Sequence, residues 1–168
     1  MEIIYREATP GDAGALLDFL KIIGGESDNL NFGAEGLPFT VAQEEKFLEK
    51  NSSNAPGYRM LLALDGDNVV GSSTVEKYSS HRSAHRCQFS IAVRKSHWGK
   101  AIGSGLMERQ LEFAKKAGAE IMQLAVRSDN VRAMGLYKKF SFVPFGTYPR
   151  FFKIGGAYFD AVYMTKSL

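Results

Sequence analysis

Between Val93 and Gly105 the chain reads Val-Arg-Lys-Ser-His-Trp-Gly-Lys-Ala-Ile-Gly-Ser-Gly. Gly99, Gly103 and Gly105 stand here among Arg94, Lys95 and Lys100. An apolar run, Phe89 to Val93, enters the stretch, and an amphipathic segment leaves it. A glycine turn that feeds a helix exposes backbone N–H groups at the positive end of the helix dipole. Such a turn takes a phosphate, and a cofactor pyrophosphate fits it best.

The charge pattern suits that reading. The net charge of +3 hides ten acidic and four basic side chains in residues 1–50, against eight acidic and seventeen basic ones in the rest. The basic part holds the glycine turn and favours an anionic ligand. The acidic part would suit a cationic substrate, and solvated faces explain the asymmetry equally well. Lysines and arginines are scattered without an aromatic–basic motif, so nucleic acid is not expected as a partner. No apolar run approaches a membrane span, so a membrane is not expected either. Cys87 is the one cysteine, which excludes an internal disulfide and a multi-cysteine metal site. Met1–Ala8 alternates apolar and charged residues, unlike a secretory leader. A cytoplasmic protein with no metal is expected.

The elements that must position the turn follow from periodicity. Ile3–Ala8 reads as a strand, and Thr9-Pro10 as the start of a helix with Thr9 as its cap. Ala15, Leu16, Phe19, Leu20 and Ile23 form that helix's apolar stripe, and Gly24-Gly25 is expected to end it. Residues 24–39 read as a long loop, and a second helix follows Thr40. Asn51–Gly57 is a polar turn. Tyr58–Leu64 and Asn68–Lys77 are strands joined by Asp65-Gly66-Asp67, a hairpin signal. Arg86–Val93 is a strand, Ala101–Ala117 a helix, Ile121–Val126 a buried strand and Asp129–Phe140 a helix. Phe142–Phe145 and Tyr158–Thr165 are the last strands, with a glycine- and aromatic-rich loop, Gly146–Ala157, between them. The order β-α-α-β-β-β-α-β-α-β-β indicates one domain over residues 1–168, with a mixed α/β sheet and helices on its faces.

Three segments in this order resemble the GCN5-related N-acetyltransferases (GNAT). Val93–Ser104 resembles the family's pyrophosphate motif, Arg/Gln-x-x-Gly-x-Gly/Ala, with Trp98, Ala101 and Gly103 at the defining positions. Asn130–Phe142 resembles its Asn-x-x-Ala-x-x-Leu-Tyr-x-x-x-Gly-Phe. Tyr158–Met164 resembles its final strand. Trp98 replaces an arginine or glutamine, Ala101 replaces a glycine and is expected to keep a negative φ, and Ser141 replaces a glycine.

The resemblance implies a mostly antiparallel, twisted sheet of about seven strands with about four helices, splayed between the fourth and fifth strands. It implies acetyl-CoA as cosubstrate and transfer of its acetyl group to a primary amine or peptide N-terminus by direct attack in a ternary complex. Backbone N–H groups of Trp98, Gly99, Lys100, Ala101, Ile102, Gly103 and Ser104 would hold the pyrophosphate. Ile91, Ala92 and Val93 would pair with the pantetheine amides as an added strand does. The N–H of Val93 is a candidate to hold the oxyanion. Asn130 would contact the pantetheine arm, although helix capping is an equally ordinary use of asparagine. Tyr137 would act as the catalytic acid on the leaving thiolate, and a core aromatic is its plainer reading.

Where some members carry a glutamate base, this chain has Cys87. His85 and Glu76 are further candidates, with water-relayed deprotonation as the default. The acceptor would bind between residues 24–39 and 146–157, near Glu26, Asp28 and Glu35 and against Tyr148, Phe151 and Phe152. The aromatic run serves equally as a homodimer interface. A non-catalytic acyl-CoA-binding or sensing module is the alternative function.

Overall fold

Gly66 and Asp67 close a hairpin between two apolar strands, and the sheet grows outward from that hairpin. The computed structural model describes residues 2–51 and 55–168. Seven strands form one sheet: β1 (Ile3–Glu7), β2 (Tyr58–Asp65), β3 (Asn68–Lys77), β4 (Arg86–Val93), β5 (Ile121–Arg127), β6 (Val143–Ile154) and β7 (Ala157–Ser167). Four helices flank it: α1 (Ala13–Glu26), α2 (Val41–Lys50), α3 (Ile102–Lys116) and α4 (Val131–Lys139). The sheet order is β1-β2-β3-β4-β5-β7-β6. Every neighbouring pair is antiparallel except β4 and β5. The expected mixed sheet, seven strands and four helices are all present.

Period-two alternation in the strands makes two apolar layers. Cys87 and Phe89 of β4 join Met122, Leu124, Met107 and Phe142 in one buried cluster. On the opposite face Leu16, Phe19 and Ile23 of α1 pack with Leu62, Leu64 and Val69. Gln110, on the buried stripe of α3, is fully enclosed, and its amide donates to the Ser73 carbonyl at 3.0 Å.

Two expectations are corrected. Helix α1 runs through Gly24-Gly25 to Glu26 instead of ending there. A Cβ at Gly24 would sit 1.9 Å from the Gly33 carbonyl oxygen, so this glycine lets the following loop lie against the helix. Residues 146–154 belong to β6 rather than to a loop. Register shifts between Pro144 and Gly146 and between Tyr148 and Phe152, with Arg150 at φ 56°, break the strand's periodicity. Nearly all of this edge strand is exposed on both faces, so the burial that normally imposes alternation is missing too.

Elsewhere the boundaries shift by a residue or two. Pro10–Asp12 forms a 3-10 turn ahead of α1, and Thr40 caps α2 by accepting from the Gln43 N–H at 3.2 Å. The Asn51–Gly57 turn lies partly outside the described residues. Among the described residues no helix is long and apolar enough to cross a membrane.

Candidate active site

Strands β4 and β5 stay in register for three pairs only, from Arg86 with Ile121 to Gln88 with Gln123. Beyond that point they splay, as expected. The direction of the free backbone groups follows from the ladder. The Arg94 N–H bonds Val70 on β3, and the Arg86 carbonyl accepts from Tyr78 on the same side. The His85 carbonyl accepts from Glu120 and Ile121 on the β5 side. Alternation therefore turns the backbone groups of Phe89, Ile91 and Val93 toward β5; the Gln88–Gln123 pair takes the Phe89 N–H, so those of Ile91 and Val93 face the gap, and those of Ala92 enter the β3 ladder. Ala92 lines the gap by its side chain and packs on the α1 face.

A cavity of about 1110 Å³ occupies this gap. That is at the upper end of the roughly 300–1,000 Å³ of small-molecule clefts. One end is the N-terminus of α3. Here Gly99 takes φ 77° and Ala101 takes φ 60°, so the expectation of a negative φ at Ala101 is corrected. The left-handed residue turns the chain sharply into the helix, the task glycine performs without strain. The first closed turn of the helix runs from the Gly105 N–H to the Ala101 carbonyl at 3.0 Å. Ile102, Gly103 and Ser104 thus present N–H groups that have no partner within the helix. The Trp98 N–H is used within its own turn, on the Lys95 carbonyl at 3.2 Å.

Its indole takes on a different task. Trp98 Nε1 donates to the Val93 carbonyl oxygen at 2.8 Å, and the Arg132 guanidinium sits over the ring at 4.3 Å. The turn, the end of β4 and the start of α4 are tied together by this one side chain. Lys139 Nζ donates to Ser104 Oγ at 3.1 Å, which adds a second cation beside the helix terminus. His97 Nε2 lies 3.2 Å from Asp65 Oδ2. Neither Lys139 nor Arg132 was anticipated. Their spacing on α4, seven residues apart and so on one face, is the signal that could have found them.

Asn130 lies on the cavity wall and caps α4, its Oδ1 accepting from the Ala133 N–H at 3.1 Å. Its Nδ2 donors remain for a ligand. Tyr137 also lines the cavity and is only 6% exposed. Its ring packs edge-on to Phe89 at 6.5 Å and against Phe142 at 6.0 Å, so the phenol is also part of the core. Burial pushes its pKa well above the ordinary phenol value, which keeps it neutral and a donor.

The far end of the cavity is polar and aromatic. Phe151, Phe152 and Tyr163 line it, with Tyr78, Gln88 and Gln123 at the splay point, while Glu26, Asn29 and Asn31 line the cavity from the α1 side, with Glu26 beside the turn. Glu26 is already engaged: it accepts from the Lys95 N–H at 2.6 Å, and its other oxygen lies 3.5 Å from Arg94 Nε. Asp28, Glu35 and Tyr148 do not line the cavity. Glu35 accepts from the Gly33 N–H at 2.8 Å, and Tyr148 is 56% exposed on β6.

Nor do Cys87, His85 and Glu76 line it. Cys87 is fully buried, and burial raises its thiol pKa to about 11. It faces the opposite side of β4 from Gln88 and Ser90. The polar residues at the splay point, Tyr78, Gln88 and Gln123, were missed by the sequence reading, although alternation from Cys87 singles out Gln88 and Ser90.

The model described as the acetyltransferase (GNAT) family matches residues 29–142. The L-amino acid N-acetyltransferase AaaT of Escherichia coli is 31% identical over 120 residues, 70% of this chain and 74% of that protein. The crystal structure of an acetyltransferase of the GNAT family from Streptococcus pneumoniae superimposes with a TM-score of 0.95 at 30% identity, covering 99% of this chain and all of that one. The structure of yncA from Salmonella typhimurium, solved with its cofactor acetyl-CoA, shares the fold at a TM-score of 0.84 and 18% identity, covering 99% of this chain and 94% of that one.

Proposed function

The chain belongs to the acetyltransferase (GNAT) family, and we propose that it acetylates the α-amino group of a free L-amino acid or a close analogue. Transfer of an acetyl group from acetyl-CoA to an amine is the activity of this enzyme. The non-catalytic acyl-CoA-binding alternative is not favoured. What supports the finer reading is the cavity that runs from a phosphate-fitting helix terminus, along an unpaired stretch of β4, to the polar side chains of Tyr78, Gln88 and Gln123. The name of the E. coli relative supplies the substrate class.

The residues present fit acetyl-CoA. The N–H groups of Gly99, Ile102, Gly103 and Ser104 would hold the pyrophosphate, with Lys100, Ala101 and Trp98 completing the turn. The open backbone groups of Ile91 and Val93, and the side chain of Asn130, would hold the pantetheine arm. The thioester supplies an activated acyl carbon. The Val93 N–H would donate a hydrogen bond to the charge that develops on its oxygen. The Tyr137 phenol donates a hydrogen bond toward the leaving sulfur. Its raised pKa makes it a poor proton source for a thiolate whose conjugate acid titrates near about 8.5, so hydrogen bonding outweighs full proton transfer. The incoming ammonium loses its proton to water, because His85 and Glu76 stand away from the cavity.

The protein works as a single domain in the cytoplasm, and a second copy covers β6. Val143, Phe145 and Tyr148 are each more than half exposed on that edge strand, which supports a homodimer.

A thiol-release assay with acetyl-CoA and a panel of L-amino acids, polyamines, aminoglycosides and short peptides tests the acceptor. Turnover of one or more L-amino acids is expected. Turnover confined to the other classes overturns this reading.

A further inference from the structure

At the point where β4 and β5 part, four side chains form a chain of hydrogen bonds that runs in one direction. Arg86 Nη2 donates to Gln123 Oε1. Gln123 Nε2 donates to the Tyr78 hydroxyl at 2.6 Å. The Tyr78 hydroxyl donates in turn to Gln88 Oε1 at 3.2 Å. The guanidinium also lies over the Tyr78 ring at 5.1 Å.

Arg86 fixes the polarity. A guanidinium has donors and no acceptor, so Gln123 must present its oxygen to it. The Gln123 amide nitrogen then faces Tyr78, and the phenol must spend its proton on the oxygen of Gln88. The groups left to Gln88 are the two N–H donors of Nε2. Gln88, Gln123 and Tyr78 all line the cavity at the splay point, five residues before Val93 in the case of Gln88, which is exposed. Hydrogen bonds in such a chain polarise one another, and here the polarisation starts from a full positive charge.

We infer that Gln88 reads the acceptor, donating from Nε2 to a carboxylate or carbonyl oxygen that the amine substrate carries. Arg86, Gln123 and Tyr78 are positioning residues that keep Gln88 a donor. The inference deepens the amino-acid reading above and rests on it for the choice of the carboxylate. A site built to donate to an oxygen discriminates against amines that lack one, because the donor is then left unpaired.

The test compares three acceptors at saturating acetyl-CoA: the best L-amino acid, its primary amide, and the amine left when the carboxylate is removed. The wild-type enzyme is expected to prefer the acid or the amide over the bare amine by about 10- to 100-fold in kcat/KM. Gln88→Met should erase most of that preference, lowering kcat/KM for the oxygen-bearing acceptors at least about tenfold more than for the bare amine. Gln123→Met should raise the acceptor KM with a smaller change in kcat, because it frees Tyr78 and Gln88 to turn over. Circular dichroism and thermal unfolding of each variant establish that the fold is retained.

Equal losses on all three acceptors overturn the role of Gln88 and leave the amino-acid reading standing. A wild-type enzyme that takes the amide and rejects the acid overturns the amino-acid reading and leaves Gln88 in its role. Indifference to the oxygen, or no turnover of any amine that bears one, overturns both.

Discussion

Trp98 Nε1 and the Val93 carbonyl oxygen lie 2.8 Å apart, so the side chain at the family's arginine or glutamine position fastens the phosphate turn to the strand before it. The bond removes one acceptor from the open edge of β4 and leaves the Val93 N–H beside it. Trp98→Phe keeps the ring under Arg132 and deletes that single bond. The loss is expected to be about 1 kcal/mol, or roughly 2–4 °C in Tm for a chain of this size. The KM for acetyl-CoA should rise several-fold. An unchanged Tm and KM would show that the bond contributes nothing.

Ala101 holds φ 60° at the start of α3. An L-residue with a Cβ costs about 1–2 kcal/mol in this region, part of which glycine returns through the entropy of the unfolded chain. Ala101→Gly is therefore expected to raise Tm by about 1–4 °C without weakening acetyl-CoA binding. Differential scanning calorimetry with and without CoA measures both, and a lower Tm would mean the strain is absent.

Tyr137→Phe removes the phenol and keeps the packing against Phe89 and Phe142. We expect kcat to fall by about 10- to 100-fold, at or below the low end of general-acid contributions, with the KM for acetyl-CoA nearly constant. Because burial raises the phenol pKa, the wild-type pH profile should show no descending limb from this group up to about pH 9.5. A descending limb below that pH, present in the wild type and missing in the variant, would contradict the assignment.

Asp12 supplies the clearest pH dependence of stability. Its carboxylate takes two bonds from Arg6, at 2.6 and 2.7 Å, and one from the Thr9 N–H at 2.7 Å. The Arg6 bonds foremost lower its pKa to about 2. The folded value lies below the unfolded one, so the stabilisation is complete above about pH 4 and is lost as the pH falls toward 2. Urea midpoints at pH 6 and pH 3 should drop in the wild type and drop less in Asp12→Asn. Equal drops would remove Asp12 from the acid transition.

Much of this was legible in the sequence because periodicity and turn chemistry agreed. The Gly66-Asp67 hairpin, the Thr40 cap and the apolar alternation of β4 are local signals that tertiary packing did not override. Gly24 shows the opposite case. Its glycine reads as a helix stop, yet it serves a contact with Gly33 from beyond the helix, which no local pattern reveals. The part of β6 after Phe145 was hidden because its two faces are alike in exposure, so no period could form. In the cavity, Asn130 and Tyr137 were found by motif. Gln88, Gln123 and Tyr78 were not, because their meaning comes from the register at which two parallel strands separate.

That separation gives the sheet a seam. Four strands stand on one side and three on the other, and only the pairs from Arg86–Ile121 to Gln88–Gln123 bridge them within the ladder. Beyond that short ladder the two parts share the apolar cluster in which Phe89 meets Met122 and Leu124, and whatever fills the gap. Amide protons of Ile91 and Val93, beyond the last β4–β5 pair, are therefore the ones that should exchange fastest among the β4 residues, and slow most when the gap is bridged. A ligand that binds only the folded chain and spans this gap would tie the halves together, and the melting temperature would then rise with its concentration.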